Sequence, residues 1–291
     1  MATNNTYTKY LEWGALILSF GALMWFSRLL GWPPAYEAET TTEKIGILLG
    51  IIIMIHLVLA VHELGHLLVG LLQGFRFELF VVGFLGIKRE EEQTKVYFNK
   101  NFGYYGGVAA TSPQDDSSEN AKKFARVLLA GPAASVLLAV ICFLLVNAVI
   151  SPWQEMLYFG GITSMAIFLA TTIPSSTGMF FTDRKRYQRL VRPGKDQQVE
   201  LAILNIMGKF AKDGSYQNIA KQDIEVLIAD ELPFFRYFGL FNMICWQLEH
   251  TGQVEEALQT EYDATAKEIS TSMVKVFDQE IEKYTAKYGA G

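Results

Sequence analysis

Long apolar segments alternate with short polar ones in the amino-terminal part of the chain. Four of them stand out, at about 13–32, 45–72, 127–150 and 156–173. Each approaches or exceeds the roughly 20 residues that a helix needs to cross a bilayer. A basic residue, Lys9, precedes the first segment, as in a signal peptide, but no small-x-small cleavage site follows, which favours an uncleaved anchor. The pattern therefore predicts a mainly α protein with a polytopic transmembrane core of about four spans.

The connection between the second and third apolar segments has a different pattern. Apolar and polar residues alternate from Phe75 to Leu79 and again from Thr94 to Phe98. Alternation with a period of two is typical of strands, so we expect two or three short strands lying against or dipping into the cytoplasmic membrane face. A free strand edge could hold an extended peptide through backbone hydrogen bonds, although a purely structural hairpin explains the pattern equally well.

Beyond Pro193-Gly194 the chain becomes more polar, with amphipathic helical patterns at about 197–212, 218–229, 233–250 and 254–284. The stretch from Thr251 to Leu258 resembles the helix-turn-helix junction of a tetratricopeptide repeat. These patterns predict three regions: an amino-terminal transmembrane anchor and loop at 1–43, an intramembrane core at 44–192, and a cytoplasmic helical domain at 193–291. The last region either recruits a protein partner or simply caps the core.

Composition and charge agree with a membrane protein that carries a soluble part. The chain is 51% hydrophobic and 19% charged, with a net charge of −5, which argues against general nucleic-acid binding. Basic residues cluster after the second segment, before the third and after the fourth, whereas 151–155 has none. The positive-inside rule then predicts a multi-pass protein with both termini in the cytoplasm.

The second apolar segment contains the sequence His62-Glu63-Leu64-Gly65-His66. On a helix the two histidines lie one turn apart on the same face, so both imidazoles can reach one zinc ion, and Glu63 is close enough to take a proton from a water on that metal. Ionisable side chains are expensive to hold inside a bilayer, so their default interpretation there is a functional site. The motif predicts a hydrolytic zinc centre inside the membrane.

Catalytic zinc usually has three protein ligands and a water, so a third ligand is needed. Asp183 follows the fourth apolar segment and should return to the end of the core where the histidines lie; pairing with a neighbouring arginine is the alternative. Asp115, Asp116 and Glu119 are weaker candidates in a polar loop. His56 faces another side of the helix and is expected to be a hydrogen-bonded core histidine, and His250 has no metal partner at suitable spacing.

The motif, together with Ala130-Gly131-Pro132 opening a later span and a Pro…Asp element after the next, resembles the site-2 protease family of intramembrane zinc metalloproteases, in a divergent bacterial-type form. The resemblance implies one Zn²⁺ held by His62, His66 and Asp183, with Glu63 as general base. Thr171 stands where the family pattern has Asn, and Ser135 follows the Gly-Pro element where Asn is frequent.

The resemblance implies cleavage of membrane-anchored proteins near the cytoplasmic face of a bacterial cell membrane, as in regulated intramembrane proteolysis. The expected partners are that protein substrate, the lipid bilayer and a protein bound by the carboxyl-terminal domain, without nucleic acid. One alternative is a non-proteolytic membrane scaffold or chaperone that keeps the zinc site for structure. A metal transporter is disfavoured because the single cluster lacks serial ligands along an ion pathway.

Overall fold

A computed structural model of the chain describes residues 38–90, 93–177 and 180–289, together with a few residues between 14 and 25. The first predicted span, at 13–32, therefore lies almost entirely outside the described residues. The chain divides into two compact units: residues 1–111 with 123–187, and residues 112–122 with 188–291.

Long helices form most of the first unit. They are α1 (Thr41–Leu72), α2 (Asn120–Leu145, followed by a 3₁₀ turn at Val146–Ala148), α3 (Trp153–Thr172) and the start of α4 (Asp183–Val191). Helix α1 begins with a capping box, in which the Thr40 side chain accepts from the Glu43 amide and the Glu43 carboxylate accepts from the Thr40 amide. This cap fixes where the 32-residue helix begins, and at 1.5 Å per residue the helix is about 48 Å long.

Two of the described helices, α1 and the run Asn120–Ala148, are long and apolar enough to cross a membrane. Large aliphatic side chains of α1 point outward: Leu48 and Ile53, for example, are 57% and 66% exposed. The predicted fourth apolar segment forms the 20-residue helix α3, which is not among the described helices long and apolar enough to cross a membrane. The four-span core therefore stays a prediction.

Glycines allow the three long helices to approach one another closely. A Cβ on Gly50 of α1 would lie 2.9 Å from the Met156 sulfur of α3, and one on Gly160 of α3 would lie 2.8 Å from the Met54 sulfur of α1. A Cβ on Gly65 would lie 2.7 Å from the carbonyl oxygen of Ala130 in α2. Small residues at helix crossings are typical of membrane bundles, where close van der Waals packing drives association.

The connection between α1 and α2 forms a four-stranded sheet in the order β3-β2-β1-β4. Its strands are β1 (Arg76–Val82), β2 (Leu85–Glu90), β3 (Gln93–Phe98) and β4 (Val108–Ser112). Strands β1 and β2 pair antiparallel with Leu79 opposite Lys88, and β2 pairs antiparallel with β3. The predicted strands at 75–79 and 94–98 are confirmed as β1 and β3. A short second pair, β5 (Ser176–Thr177) with β6 (Phe180–Phe181), follows α3.

The second unit is helical. Its helices are α5 (Lys195–Asp213), α6 (Lys221–Ile228), α7 (Pro233–Thr251), α8 (Glu256–Ala266) and α9 (Thr271–Tyr288). The predicted helices at 197–212, 218–229 and 233–250 are confirmed as α5, α6 and α7, whereas the single pattern at 254–284 is two helices with a break after Ala266. Gly252 ends α7 in the left-handed conformation, with φ of 72°.

The core of this unit contains aliphatic and aromatic side chains such as Ile224, Leu240 and Ile244, which are fully buried. An ion pair also lies inside it. The buried Arg189 guanidinium contacts the Glu200 carboxylate at 3.0 Å and the Asp196 carboxylate at 2.8 Å, and thereby joins the end of α4 to α5. The region boundaries predicted at residues 43 and 192, and the tetratricopeptide likeness of the α7–α8 hairpin, stay predictions.

Candidate metal centre

The motif histidines and Glu63 are among the few buried residues of α1. The exposed fractions of His62, Glu63 and His66 are 4%, 8% and 8%, while many aliphatic side chains of the same helix are exposed. Burying three ionisable groups costs free energy unless they are paired or bind a metal, so their burial requires a partner. The partner is a carboxylate near the carboxyl-terminal end of the first unit.

Asp183, the first residue of α4, places its carboxylate against both imidazoles. Its Oδ2 atom lies 3.2 Å from Nε2 of His62, and its Oδ1 atom lies 3.3 Å from Nε2 of His66. The two Nε2 atoms are 3.3 Å apart. Burial raises the pKa of the Asp183 carboxyl, but the two neighbouring imidazoles lower it to about 2, so the group is ionised at neutral pH. The predicted triad is therefore brought together by the fold.

The three contact distances are short enough for one zinc ion to bind all three side chains, with the two Asp183 contacts ending on different carboxylate oxygens. Zinc bonds of about 2.0–2.1 Å at tetrahedral angles separate two ligand atoms by about 3.3 Å. The Oδ2 atom of Asp183 is buried and has no donor in hydrogen-bond geometry among the described residues. A cation between the two Nε2 atoms and the Asp183 carboxylate would satisfy this oxygen. The residues present therefore fit one zinc ion, with a fourth position left for water or substrate.

The second nitrogen of each imidazole is held by α2. Nδ1 of His66 donates to the Val127 carbonyl oxygen at 2.7 Å, and Nδ1 of His62 lies 2.9 Å from the Ser135 hydroxyl. The buried Ser164 hydroxyl of α3 in turn donates to the Ser135 carbonyl at 2.8 Å. Such outer contacts fix the tautomer and ring orientation of histidine ligands, and they leave Nε2 for the metal.

Two glycines make room for the imidazoles. A Cβ on Gly131 of α2 would collide with the His66 ring, and a Cβ on Gly65 would lie 2.7 Å from Cβ of Ala134. Gly131 belongs to the Ala130-Gly131-Pro132 element, so the absence of a side chain there has a direct steric reason. The element lets α2 lie close enough to receive the histidine hydrogen bonds.

Glu63 faces the sheet on another side of the site. Its carboxylate accepts a hydrogen bond from the backbone amide of Ala109 in β4. Gly107, with φ of 99°, lies directly over it, and a Cβ there would be 2.7 Å from Oε1 of Glu63. Both the positive φ and the close approach require glycine. Strand β4 thus orients the Glu63 carboxylate.

The structure gives the weaker candidates other roles. His56 donates Nδ1 to the Ile52 carbonyl at 2.8 Å and packs against Gly83 and Phe84, so it is hydrogen-bonded as predicted but only half-buried. The remaining groups make local contacts: Asp116 with Lys212, Asp115 with the Ser117 amide, Glu119 with Lys122, His250 with Trp246, and Thr171 with the Phe168 carbonyl.

Sequence reasoning missed the supporting residues. In the sequence, Ser135 differs from the family pattern, and no pattern marks Gly107 or Ser164. The spacing of Ser135 from Gly131, four residues along one helix, was the available signal, because it places both on one face of α2. The contacts to His62 and His66 required knowledge of how α2 packs on α1.

Comparison with known proteins gave one family. The model of peptidase family M50 matches residues 50–287, which is most of the chain and includes the metal centre and the carboxyl-terminal helices. Neither curated proteins nor solved structures gave a match. The match to the family agrees with the His-Glu-x-x-His motif and with the apolar helix that carries it. The chain therefore belongs to peptidase family M50, the site-2 protease family of membrane metallopeptidases.

Proposed function

We propose that this chain is an intramembrane zinc endopeptidase that cleaves membrane-anchored proteins near the cytoplasmic face of a bacterial cell membrane. The observation that carries the proposal is the convergence of His62, His66 and Asp183 within 3.3 Å of one another, beside a carboxylate that is not part of the triad. Three ligands plus an open position and a neighbouring base are typical of hydrolytic zinc. A structural site would be closed by a fourth protein ligand.

The protein groups have separate tasks. Nε2 of each imidazole and the Asp183 carboxylate would hold one Zn²⁺, whose chemistry when bound is Lewis acidity toward water and the substrate carbonyl. The Val127 carbonyl and the Ser135 hydroxyl orient the imidazoles before any metal arrives. Asp183 contributes the one negative charge among the three ligands, which offsets half of the charge of the cation.

Glu63 is the proton carrier in this proposal. Its carboxylate is held by the Ala109 amide and covered by Gly107, so it enters the site in a fixed orientation. It accepts the proton of the attacking water and delivers that proton to the leaving amine of the cleaved bond. The buried surroundings exclude bulk water, which keeps the proton between these two groups.

Strand β4 is suited to hold the substrate. It is the outer strand of the sheet next to β1, and its residue Ala109 contacts Glu63. A peptide that pairs with an outer strand is extended, and its scissile bond is then free of the helical hydrogen bonds that protect it in a membrane span. Pairing with β4 would therefore deliver an unwound segment to the zinc site.

The sheet also supports a position of the site within the membrane. The β1–β2 turn at Gly83 and Phe84 contacts His56, which lies at the middle of α1. Phe84 stacks on Phe98 at 5.8 Å, and both rings are more than half exposed. Exposed aromatic surface beside the middle of an apolar helix suits a lipid environment better than water. The basic clusters on either side support a cytoplasmic orientation of this sheet under the positive-inside rule.

The test is reconstitution of the purified protein in liposomes with a single-pass test substrate. We expect about one bound zinc per chain, cleavage of the substrate, loss of both after chelation, and their return when zinc is added back. His62→Ala should lose zinc and activity. The matched control is His56→Ala on the same helix, which should keep both because the described contacts of His56 are with Ile52 and the β1–β2 turn.

The measurements of zinc content and substrate cleavage also distinguish a protease from a non-proteolytic scaffold. A scaffold with a structural zinc would bind the metal through His62 and leave every test substrate intact, and its cellular role would survive loss of the base. A protein that cleaves equally well without zinc, or that keeps its zinc in His62→Ala, would contradict the proposed site.

A further inference from the structure

A cavity of about 300 Å³ lies between α2 and α3, and none of the roles above uses it. Its walls come from both helices, and its end is formed by the first residues of α4. The lining residues are Leu128, Leu129, Pro132, Ala133, Phe168, Thr172, Asp183 and Arg184. Since Asp183 is also one of the three convergent ligands, the cavity opens directly beside the metal centre.

The walls of the cavity are apolar. The Thr172 hydroxyl already donates to the Phe168 carbonyl at 2.7 Å, so the threonine offers mainly its methyl group. An apolar cavity of about 150 Å³ is large enough to hold benzene, and this one is about twice that size. It can therefore take one large aliphatic or aromatic side chain, and its charged groups are restricted to the end near Asp183.

One backbone acceptor interrupts the apolar wall. Pro132 has no N–H, so the helical hydrogen bond to the Leu128 carbonyl, four residues earlier, cannot form. Both residues line the cavity. A carbonyl without its helical donor in an apolar layer is favourably placed to accept an N–H from a bound peptide. The cavity thus combines space for a side chain with a site for the backbone that carries it.

The position of the cavity indicates which residue of a bound substrate could occupy it. On α2, Val127 and Gly131 contact His66, while their neighbours Leu128 and Pro132 line the cavity. A side chain seated in the cavity would therefore belong to a residue within about one position of the bond that lies at the metal. We propose that this cavity is the specificity subsite for a large apolar substrate residue next to the cleaved bond, with Leu129 and Ala133 setting its size. This inference rests on the proposed protease function.

The probes are single-pass test substrates of one fixed sequence, which differ only in one residue beside the cut site: alanine, leucine, phenylalanine or tryptophan. The cut site is first mapped in the wild-type protein by mass spectrometry. We expect leucine or phenylalanine at one position to raise kcat/KM at least about tenfold over alanine, since a pocket distinguishes side chains that differ by a few methylenes by about 10- to 200-fold.

Two variants change the cavity in opposite directions. Ala133→Phe fills it and should reverse the preference, so that the alanine substrate becomes the better one. Leu129→Ala enlarges it and should raise the relative rate of the tryptophan substrate. Leu145→Phe, which adds an aromatic ring at a 46% exposed position on another face of the same helix, is the matched control and should keep the wild-type preference.

A second readout does not depend on turnover. In the zinc-loaded Glu63→Gln background, with an added thiol oxidant, a cysteine at position 133 should form a disulfide with a substrate cysteine at one position beside the cut site, whereas a cysteine at position 145, on another face of the helix, should not. The proposed subsite, but not the proposed protease function, would be overturned if the wild-type protein cleaved all four substrates at equal rates. It would also be overturned if the variants slowed cleavage of all four substrates equally. Capture spread evenly along the substrate would mean that the cavity holds lipid and would also overturn it. A zinc-loaded protein that cleaves no test substrate would instead overturn the proposed function.

Discussion

The Nδ1 atom of His66 lies 2.7 Å from the carbonyl oxygen of Val127, and this contact decides which nitrogen can bind a metal. A carbonyl only accepts, so the imidazole must donate from Nδ1, and its neutral form then has a lone pair at Nε2. That lone pair faces Nε2 of His62 and the Asp183 carboxylate at 3.3 Å each. In the proposed zinc site, Val127 of helix α2 would therefore orient the His66 ring without contacting the metal.

Ser135→Ala should weaken zinc binding about 10- to 100-fold, because the His62 ring loses the contact at Nδ1 that orients it. Competition with a chelator of known affinity measures the change. Ser164→Ala, which removes only the hydrogen bond to the Ser135 backbone, should have a smaller effect in the same assay. Equal zinc affinity for Ser135→Ala and the wild type would show that the Ser135 hydroxyl does not support His62.

Gly65→Ala should lower the thermal unfolding temperature in detergent. Alanine favours a helix by about 1 kcal/mol over glycine, but the new methyl group would meet Ala130 and Ala134 of α2 at 2.7 Å, and overpacking costs about 1–3 kcal/mol. Gly46→Ala, on the same helix with open space around it, is the matched control and should be neutral or stabilising. Similar unfolding temperatures for the two variants would mean that α1 and α2 do not pack closely at Gly65.

Asp183→Asn should lower zinc affinity and cleavage together. The neutral amide is a poorer ligand, and it leaves the charge of the cation less compensated, so the loss should exceed the roughly 10- to 100-fold effect of an outer residue. Asp263→Asn on α8, whose carboxylate accepts only from Gln259 among the described contacts, is the control. Full zinc occupancy and activity in Asp183→Asn would remove Asp183 from the ligand set and favour its alternative role of pairing with a neighbouring arginine.

The sequence predicted the local part of the site and left the tertiary part open. His62, Glu63 and His66 fall within two turns of one helix, so helical geometry alone places them together. Asp183 is far along the chain, and its position alone left a metal ligand and an arginine partner equally open; the family resemblance favoured the ligand. The contacts of Ser135 and Ser164 with the site could not be predicted, because they depend on how three helices pack.

The same division applies to the fold. Strands β1 and β3 alternate apolar and polar residues and were predicted, whereas β4 contains Val108-Ala109-Ala110-Thr111, in which small residues hide the alternation. The break between α8 and α9 was missed because the residues from Lys267 to Ser270 include neither glycine nor proline, so no breaker marks it. Helices α8 and α9 both pack on α7, where Tyr262 and Phe277 contact Tyr237, and a local sequence pattern does not record such contacts.

Reporter fusions should place both ends of the chain in the cytoplasm. Basic residues flank the second, third and fourth apolar segments on one side, and the positive-inside rule assigns that side to the cytoplasm. Fusions at Asn120 and Gly291 should report cytoplasm, and a fusion near Ser151 should report the outside. An external reading at Gly291 would contradict the four-span arrangement and place the metal centre at the wrong face.

The most direct test of the central claim compares zinc content and cleavage in Glu63→Gln. The amide has almost the same shape as the carboxylate and can remain under Gly107, but it cannot accept the proton of the attacking water. Glu225→Gln, an exposed change on α6, serves as the control for the same chemistry. We expect Glu63→Gln to bind about one zinc with unchanged stability and to leave the single-pass substrate uncut. Cleavage at near the wild-type rate by zinc-loaded Glu63→Gln would contradict the account.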